Sequence, residues 1–222
     1  MIPYHTLNRA LIAVAIWAHA GAAPAQQLSG IMPAGAALDG LVHLSSSHGS
    51  GTRSIDSTAL TSDGSFVFQR RQFPLGFYHI SINDTDRVDI ILGQEEKEVE
   101  LLFDGTPLQR HITVRRSDEN KRLWEYKLVS KESQAILAAV AAEKQGLRAN
   151  DTRRLLVLDS VAARATSLRE AHLLGIISGY PHSYFAKVVK ADRGIDDAQE
   201  QSPQAVLKAF DFGDASLMRS AV

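Results

Sequence analysis

The hydrophobic period changes once along this chain, near Ser117, and that change decides what can fold on either side of it. Before Ser117, apolar residues alternate or come in short runs between turn residues, the pattern of half-buried strands. The runs fall at residues 38–44, 54–60, 65–69, 77–82, 87–92, 97–103 and 111–114. About seven strands at roughly 10-residue spacing predict an antiparallel sandwich or barrel. Residues 45–51 (Ser-Ser-Ser-His-Gly-Ser-Gly) read as a flexible loop by composition. Asp63-Gly64, between two β-prone runs, predicts a hairpin joining residues 54–60 to residues 65–69.

From Ser117 onward the period is helical. Ser117-Asp118-Glu119-Asn120 supplies an N-cap residue followed by acids, a helix start. Leu123, Trp124, Leu128, Ala135, Ala138 and Ala142 mark an apolar side, and Gly146 a stop. Asn150-Asp151-Thr152 opens a second helix with Leu155, Leu158, Ala162, Ala165 and Leu168 in phase, broken from Gly175 to Pro181. A third helix is expected over residues 182–191 and a short turn over 204–210. The fold class predicted is α+β: a β-sandwich at 26–116 followed by a helical segment at 117–222.

Residues 1–25 read as a secretory signal. Arg9 ends a weakly positive start, residues 10–17 are almost wholly apolar, and Ala23-Pro24-Ala25 has a small-x-small cleavage pattern. The apolar run is short of the roughly 20 residues a spanning helix needs. The mature chain, from Gln26, is expected to be exported to the periplasm or cell envelope, with no stable membrane span. An uncleaved N-terminal anchor is the competing reading. The 222 residues include no cysteine, and the net charge is −1. Thiol-redox chemistry therefore has no nucleophile here. Nucleic acid, which a basic excess would mark, is excluded as an expected partner.

Several segments carry a resemblance. Asp56-Ser57-Thr58, Asp63 to Phe68, Pro74 to Ile80 and Val99 to Phe103 resemble the N-terminal β domain of exported TlpA-like thiol-disulfide oxidoreductases. Ser117 to Trp124 resembles the entry to that family's helical segment, and Tyr180 to Ala186 its aromatic-Pro-x-Ser helix start. Asp211 to Ser220 resembles the stretch leading toward the family's thioredoxin-like domain. The resemblance spans nearly the whole mature chain, but its motifs are turns, caps and core positions. The family's Cys-x-x-Cys is missing, and the chain stops at Val222, where the catalytic domain would follow. It reads as a truncated or split product, or a domain working without its usual neighbour. The resemblance implies a non-catalytic accessory region whose partner is a protein, such as a thioredoxin-like domain or its substrate. A free-standing envelope module binding glycan or peptide is the alternative.

Searching the residues for chemistry returns no catalytic, cofactor or metal assignment. His43, His48, His79, His111, His172 and His182 lack zinc-helix spacing, though His43 and His48 could meet across a loop with His79 or His111 approaching. His48-Gly49-Ser50-Gly51 is not a nucleophile elbow, and no base or orienter can be placed for a serine hydrolase. Glu95, Glu96, Glu98 and Glu100 read as a solvated face rather than a glycosidase pair. Asp84, Asp86 and Asp89 lack the rest of a calcium loop, and residues 83–86 read as a polar turn. Phe66 and Phe68 share a face and point into a core, while Tyr78 or Phe73 could serve an exposed sugar platform. Trp124 and Tyr126 are expected to dock the helices on the sandwich, and Tyr180, Tyr184 and Phe185 to anchor the third helix.

Overall fold

A computed structural model describes residues 25–219, apart from 49, 50, 70, 94, 149, 200, 201, 203, 206, 207, 209, 210 and 212. The expected signal segment thus lies outside the described residues except for Ala25, and so does most of the expected turn at 204–210. The described chain is of mixed α+β class. Eight strands come first: β1 (Gln27–Ile31), β2 (Leu41–His48), β3 (Gly51–Ala59), β4 (Ser65–Val67), β5 (Gly76–Ser81), β6 (Arg87–Leu92), β7 (Glu98–Phe103) and β8 (Ile112–Arg116). Three helices follow: α1 (Asp118–Gln145), α2 (Thr152–Gly179) and α3 (Tyr184–Gln199). The switch from strand to helix falls at Ser117, where the period changes.

The strands form two four-stranded sheets, ordered β4-β1-β7-β8 and β3-β2-β5-β6. Strand alternation explains the core they share. Leu28, Phe66, Val99, Leu101 and Phe103 of the first sheet share one buried cluster with Val42, Leu44, Tyr78, Ile80, Val88, Ile90 and Leu92 of the second. Phe66 and Phe68 meet edge to face at 6.1 Å, as expected of core residues.

Four expectations change. First, β1 is a strand outside the seven expected runs. It is short, contains Gly30, and is held by partners on both sides: β4 antiparallel and β7 parallel. The sheets are therefore antiparallel-rich, not wholly antiparallel. Gly30 is required there, because a Cβ would lie 2.6 Å from the Phe66 ring and 2.7 Å from the Leu101 carbonyl. Second, Asp63-Gly64 is a turn but not a hairpin. Gly64 has φ +81°, its carbonyl accepts from Met32 N at 2.8 Å, and β4 pairs with β1 in the other sheet. Third, the serines at 45–47 are strand, not loop, because β2 continues pairing with β3 as far as His48–Gly51. Fourth, α2 runs through Gly175 to Gly179, since Leu173 and Ile176 are buried on either side of that glycine.

The helices attach to the sheet face formed by β5 and β6. On these strands the residues between the core positions point the other way, so Phe77 and Ile91 enter a second cluster with Leu123, Leu173, Ile176, Tyr184, Phe185 and Val188. The attachment is specific as well as apolar. The Asn120 side chain, fully buried, accepts from Ile91 N at 2.7 Å and donates to Ile91 O at 2.8 Å. It thus pairs with β6 as a neighbouring strand would. Four and seven residues further along α1, Trp124 Nε1 donates to Asp89 O at 3.1 Å and Lys127 pairs with the Asp89 carboxylate.

Replacing Asn120 by Ala removes both backbone partners from buried Ile91. Asn120→Ala is expected to lower stability by about 2–4 kcal/mol, the cost of orphaning buried peptide groups, read as a fall in the urea midpoint.

Candidate functional site

Three polar arrangements stand out, and each is built by the element that carries it. The most suggestive chemically lies on the helix-facing side of β2, β5 and β6. Ser47 Oγ is 2.8 Å from His79 Nε2, and His79 Nδ1 is 2.7 Å from Asp89 Oδ1. The registers place these residues on adjacent strands, with Asp89 directly opposite His79. This is the hydrogen-bond order of a Ser-His-Asp relay. With Asp89 ionised, Nδ1–H donates to it, and a neutral imidazole then accepts the Ser47 hydroxyl proton at Nε2. Burial pushes the Asp89 carboxyl up, but the hydrogen bond from His79 and the Lys127 ammonium outweigh it and hold the pKa at about 2.

The relay lacks access. Ser47 is 5 % exposed and His79 7 %, while Trp124 and Lys127 of α1 close on Asp89. The main clefts are lined by other residues. A serine nucleophile must reach a substrate carbonyl and leave its oxyanion among donors. Here the hydroxyl is enclosed, so the arrangement works as a polar latch between the three strands and α1. The sequence offers Ser50, between glycines, with no base or orienter beside it. Only the strand registers reveal that Ser47, His79 and Asp89 are neighbours.

The second arrangement is the joint between the β6–β7 connection, α1, α3 and the end of the described chain. Ser117 caps α1: its Oγ accepts from Asn120 N at 3.0 Å and from Asn120 Nδ2 at 2.7 Å, and donates to Glu96 at 2.5 Å. Its φ of +129° is costly for a non-glycine residue, and these three bonds hold it there. Glu96 also accepts from Glu119 N at 3.0 Å. It is therefore a helix cap rather than part of a solvated face. Glu119 does the same for α3. Its carboxylate accepts from Ser183 Oγ at 2.9 Å, Tyr184 N at 3.0 Å and Phe185 N at 2.9 Å, satisfying helix-start donors where an anion is favoured. Tyr184 OH donates to Ser216 O at 2.8 Å, Lys187 pairs with Asp214, and Arg219 Nε donates to Leu75 O at 3.0 Å.

The third is an open cleft of about 560 Å³ on the outer side of β2 and β3, lined by Asp39, His43, Ser45, Thr52, Ser54 and Asn83 among others. His43 Nε2 lies 3.2 Å from Asp39 Oδ2 there.

The remaining sequence candidates disperse. His43, His79 and His111 each pair with a different aspartate, Asp39, Asp89 and Asp104. The His48 side chain lies outside the described residues. Among the described residues no group of three or more His, Asp or Glu stands together as a metal site. Glu98 and Glu100 pair with Arg115 and Arg116 of β8. Asp86 Oδ1 accepts from Leu108 N at 2.7 Å, and Asn83 Oδ1 accepts from Thr85 N and Asp86 N, a polar turn as expected. Phe73 and Tyr78 are buried, leaving no sugar platform at either. Tyr184 and Phe185 are buried anchors, whereas Tyr180 is 48 % exposed and lies under the Arg122 guanidinium at 4.0 Å. Among the described residues no helix is long and apolar enough to cross a membrane. Comparison with known protein families, with characterised proteins and with solved structures finds no match to this chain.

Two measurements check the latch. Because the folded pKa of Asp89 is depressed, its contribution is complete above about pH 4 and lost as pH falls through about 2. Asp89→Asn is expected to cost roughly 2 kcal/mol at neutral pH and to flatten the stability profile over that window, measured by urea unfolding at each pH. A fluorophosphonate ester is expected to leave Ser47 unlabelled in the folded chain. Labelling that disappears in Ser47→Ala would make the relay a working hydrolase site.

Proposed function

We propose that this chain is a non-catalytic, exported accessory region of an envelope thiol-disulfide system of the TlpA-like kind, positioning or recruiting a thioredoxin-like domain or its substrate. One observation carries the proposal. Residues of the three segments of the helical half that resemble that family meet at one joint: Ser117 to Trp124, Tyr180 to Ala186, and Asp214, Ser216 and Arg219 of the last. Glu119 from the first binds the α3 start in the second. Tyr184 and Lys187 then hold Ser216 and Asp214 of the third. The segment that resembles the family's lead toward its thioredoxin-like domain is thereby pinned to the turn just before β5, through Arg219 and Leu75. A following or separate domain bound there would have a fixed position. In this reading the two sheets face each other as a sandwich, supported by the core they share. The chain itself carries no thiol.

A photo-crosslinking residue at Met218, 49 % exposed beside the pinned segment, tests this in the cell envelope. The expected product joins the chain to a thioredoxin-like protein bearing Cys-x-x-Cys. The same probe at Leu38, 94 % exposed on the β portion, serves as the control. Absence of any dithiol protein among the Met218 products overturns the proposal, as would insulin reduction by the purified chain alone.

The second reading, an envelope module for peptide or glycan, is favoured by the open polar cleft on β2 and β3. Its lining hydroxyls and carboxylates suit polar ligands, but among the described residues no Phe, Tyr or Trp lines it to stack a sugar ring. Binding of an envelope glycan or peptide that is lost in Ser54→Arg would move the conclusion to this reading.

A further inference from the structure

The antiparallel hairpin of α1 and α2 has two flanks, marked by two ion pairs near its tip. Glu143–Arg154 lies along one, and Lys144–Asp159 along the other. Residues seven apart return to nearly the same side of a helix. The Lys144–Asp159 flank is covered lower down: Leu173, fourteen residues after Asp159, is buried with α3, and Glu170 pairs with Arg193 of α3. Among the described residues, the Glu143–Arg154 flank has no such cover. Ile136 lies seven residues before Glu143. Val157, Val161 and Leu168 lie three, seven and fourteen residues after Arg154. These four side chains are 41 %, 45 %, 42 % and 60 % exposed. Together they form an apolar stripe across both helices, the kind of surface that marks an interaction site.

The charges at its edge say what fits. Glu132 and Arg164 lie on the rim of the same flank, four residues from Ile136 and three from Val161. Among the described residues neither has an ion-pair partner. Ser133 Oγ donates to Ala165 O at 3.2 Å, which fixes the level of one helix against the other. Glu132 and Arg164 are thus offset by only two residues, about 3 Å along the hairpin axis. A two-fold axis parallel to the helices would lay α1 of one copy over α2 of the other at the same level. It would then bring each Glu132 opposite the other copy's Arg164, around a shared apolar stripe. The sheets, reached through Asn120, Trp124 and Lys127 on other sides of α1, leave this flank clear.

We propose that the flank formed by Ile136, Val157, Val161 and Leu168 is the interface for a second copy of this chain, giving a four-helix bundle closed by reciprocal Glu132–Arg164 pairs. Such an interface is self-complementary, the requirement for a two-fold dimer. Four helices packed in this way bury the seam that two leave open. The dimer is independent of the accessory role: it concerns a face remote from the joint that holds Ser216 and Arg219.

Sedimentation velocity of the full chain tests it. The expected mass is that of a dimer. Val161→Lys and Leu168→Lys are expected to give monomers with unchanged far-UV circular dichroism, since both side chains are exposed in one copy. Glu132→Arg and Arg164→Glu should each weaken association about tenfold, and the double swap should restore it to within about threefold, because the pair is reciprocal. A monomer at every concentration, a dimer indifferent to these four variants, or a double swap as weak as the singles overturns the proposal.

Discussion

The architecture depends on one side chain reading a strand as another strand would. Asn120 offers Ile91 both a donor and an acceptor, so α1 begins at a fixed height on β6. An amide can do this and an apolar residue cannot, because a buried peptide group needs its partner. The same residue donates twice to Ser117 Oγ, once from its backbone and once from its side chain. The cap that starts the helix and the clamp that docks it are therefore one network. Ser117 can hold its strained backbone because that network over-determines it.

Anionic caps extend the joint outward in relay. Glu96, in the β6–β7 connection, accepts from Ser117 and Glu119 N at the head of α1. Glu119, inside α1, accepts from the head of α3. Each carboxylate sits where a helix start leaves N–H groups without partners. Arg122 lies 3.6 Å from Glu119 and stacks on Tyr180, so the buried acid is balanced rather than left as a lone charge. Charge here orients elements; the apolar cluster around Phe77, Ile91, Leu123 and Phe185 supplies the burial.

The Ser47–His79–Asp89 relay illustrates why a familiar constellation does not by itself define a site. The distances match a catalytic relay, and Asp89 is held ionised. What decides its role is enclosure. The serine and histidine are buried, and a helix lysine occupies the aspartate's second oxygen. The same groups that would activate a serine instead satisfy one another's hydrogen bonds. Buried polar groups of this kind are expensive unless fully paired, which accounts for the length of the chain from Ser47 through Lys127.

Local signals carry some of this protein without tertiary help. The period change at Ser117, the Ser117 cap, the strands at 87–92 and 98–103 and the inward pairing of Phe66 with Phe68 all follow from residues within a few positions of one another. Such features depend on backbone propensity, capping and side-chain alternation, which act at short range. The choice of strand partner does not. β1 exists because β4 and β7 flank it, and Asp63-Gly64 turns the chain into another sheet because its partner is Met32, not β3. Glu96 and Glu119 read as ordinary surface acids until the helix starts they cap are brought to them. Gly175 reads as a break until the core around Leu173 and Ile176 holds its helix straight through. Tertiary contact alone decided these, because a carboxylate, a glycine or a short apolar run has many equivalent uses along the chain. Only the groups that meet it across space select one.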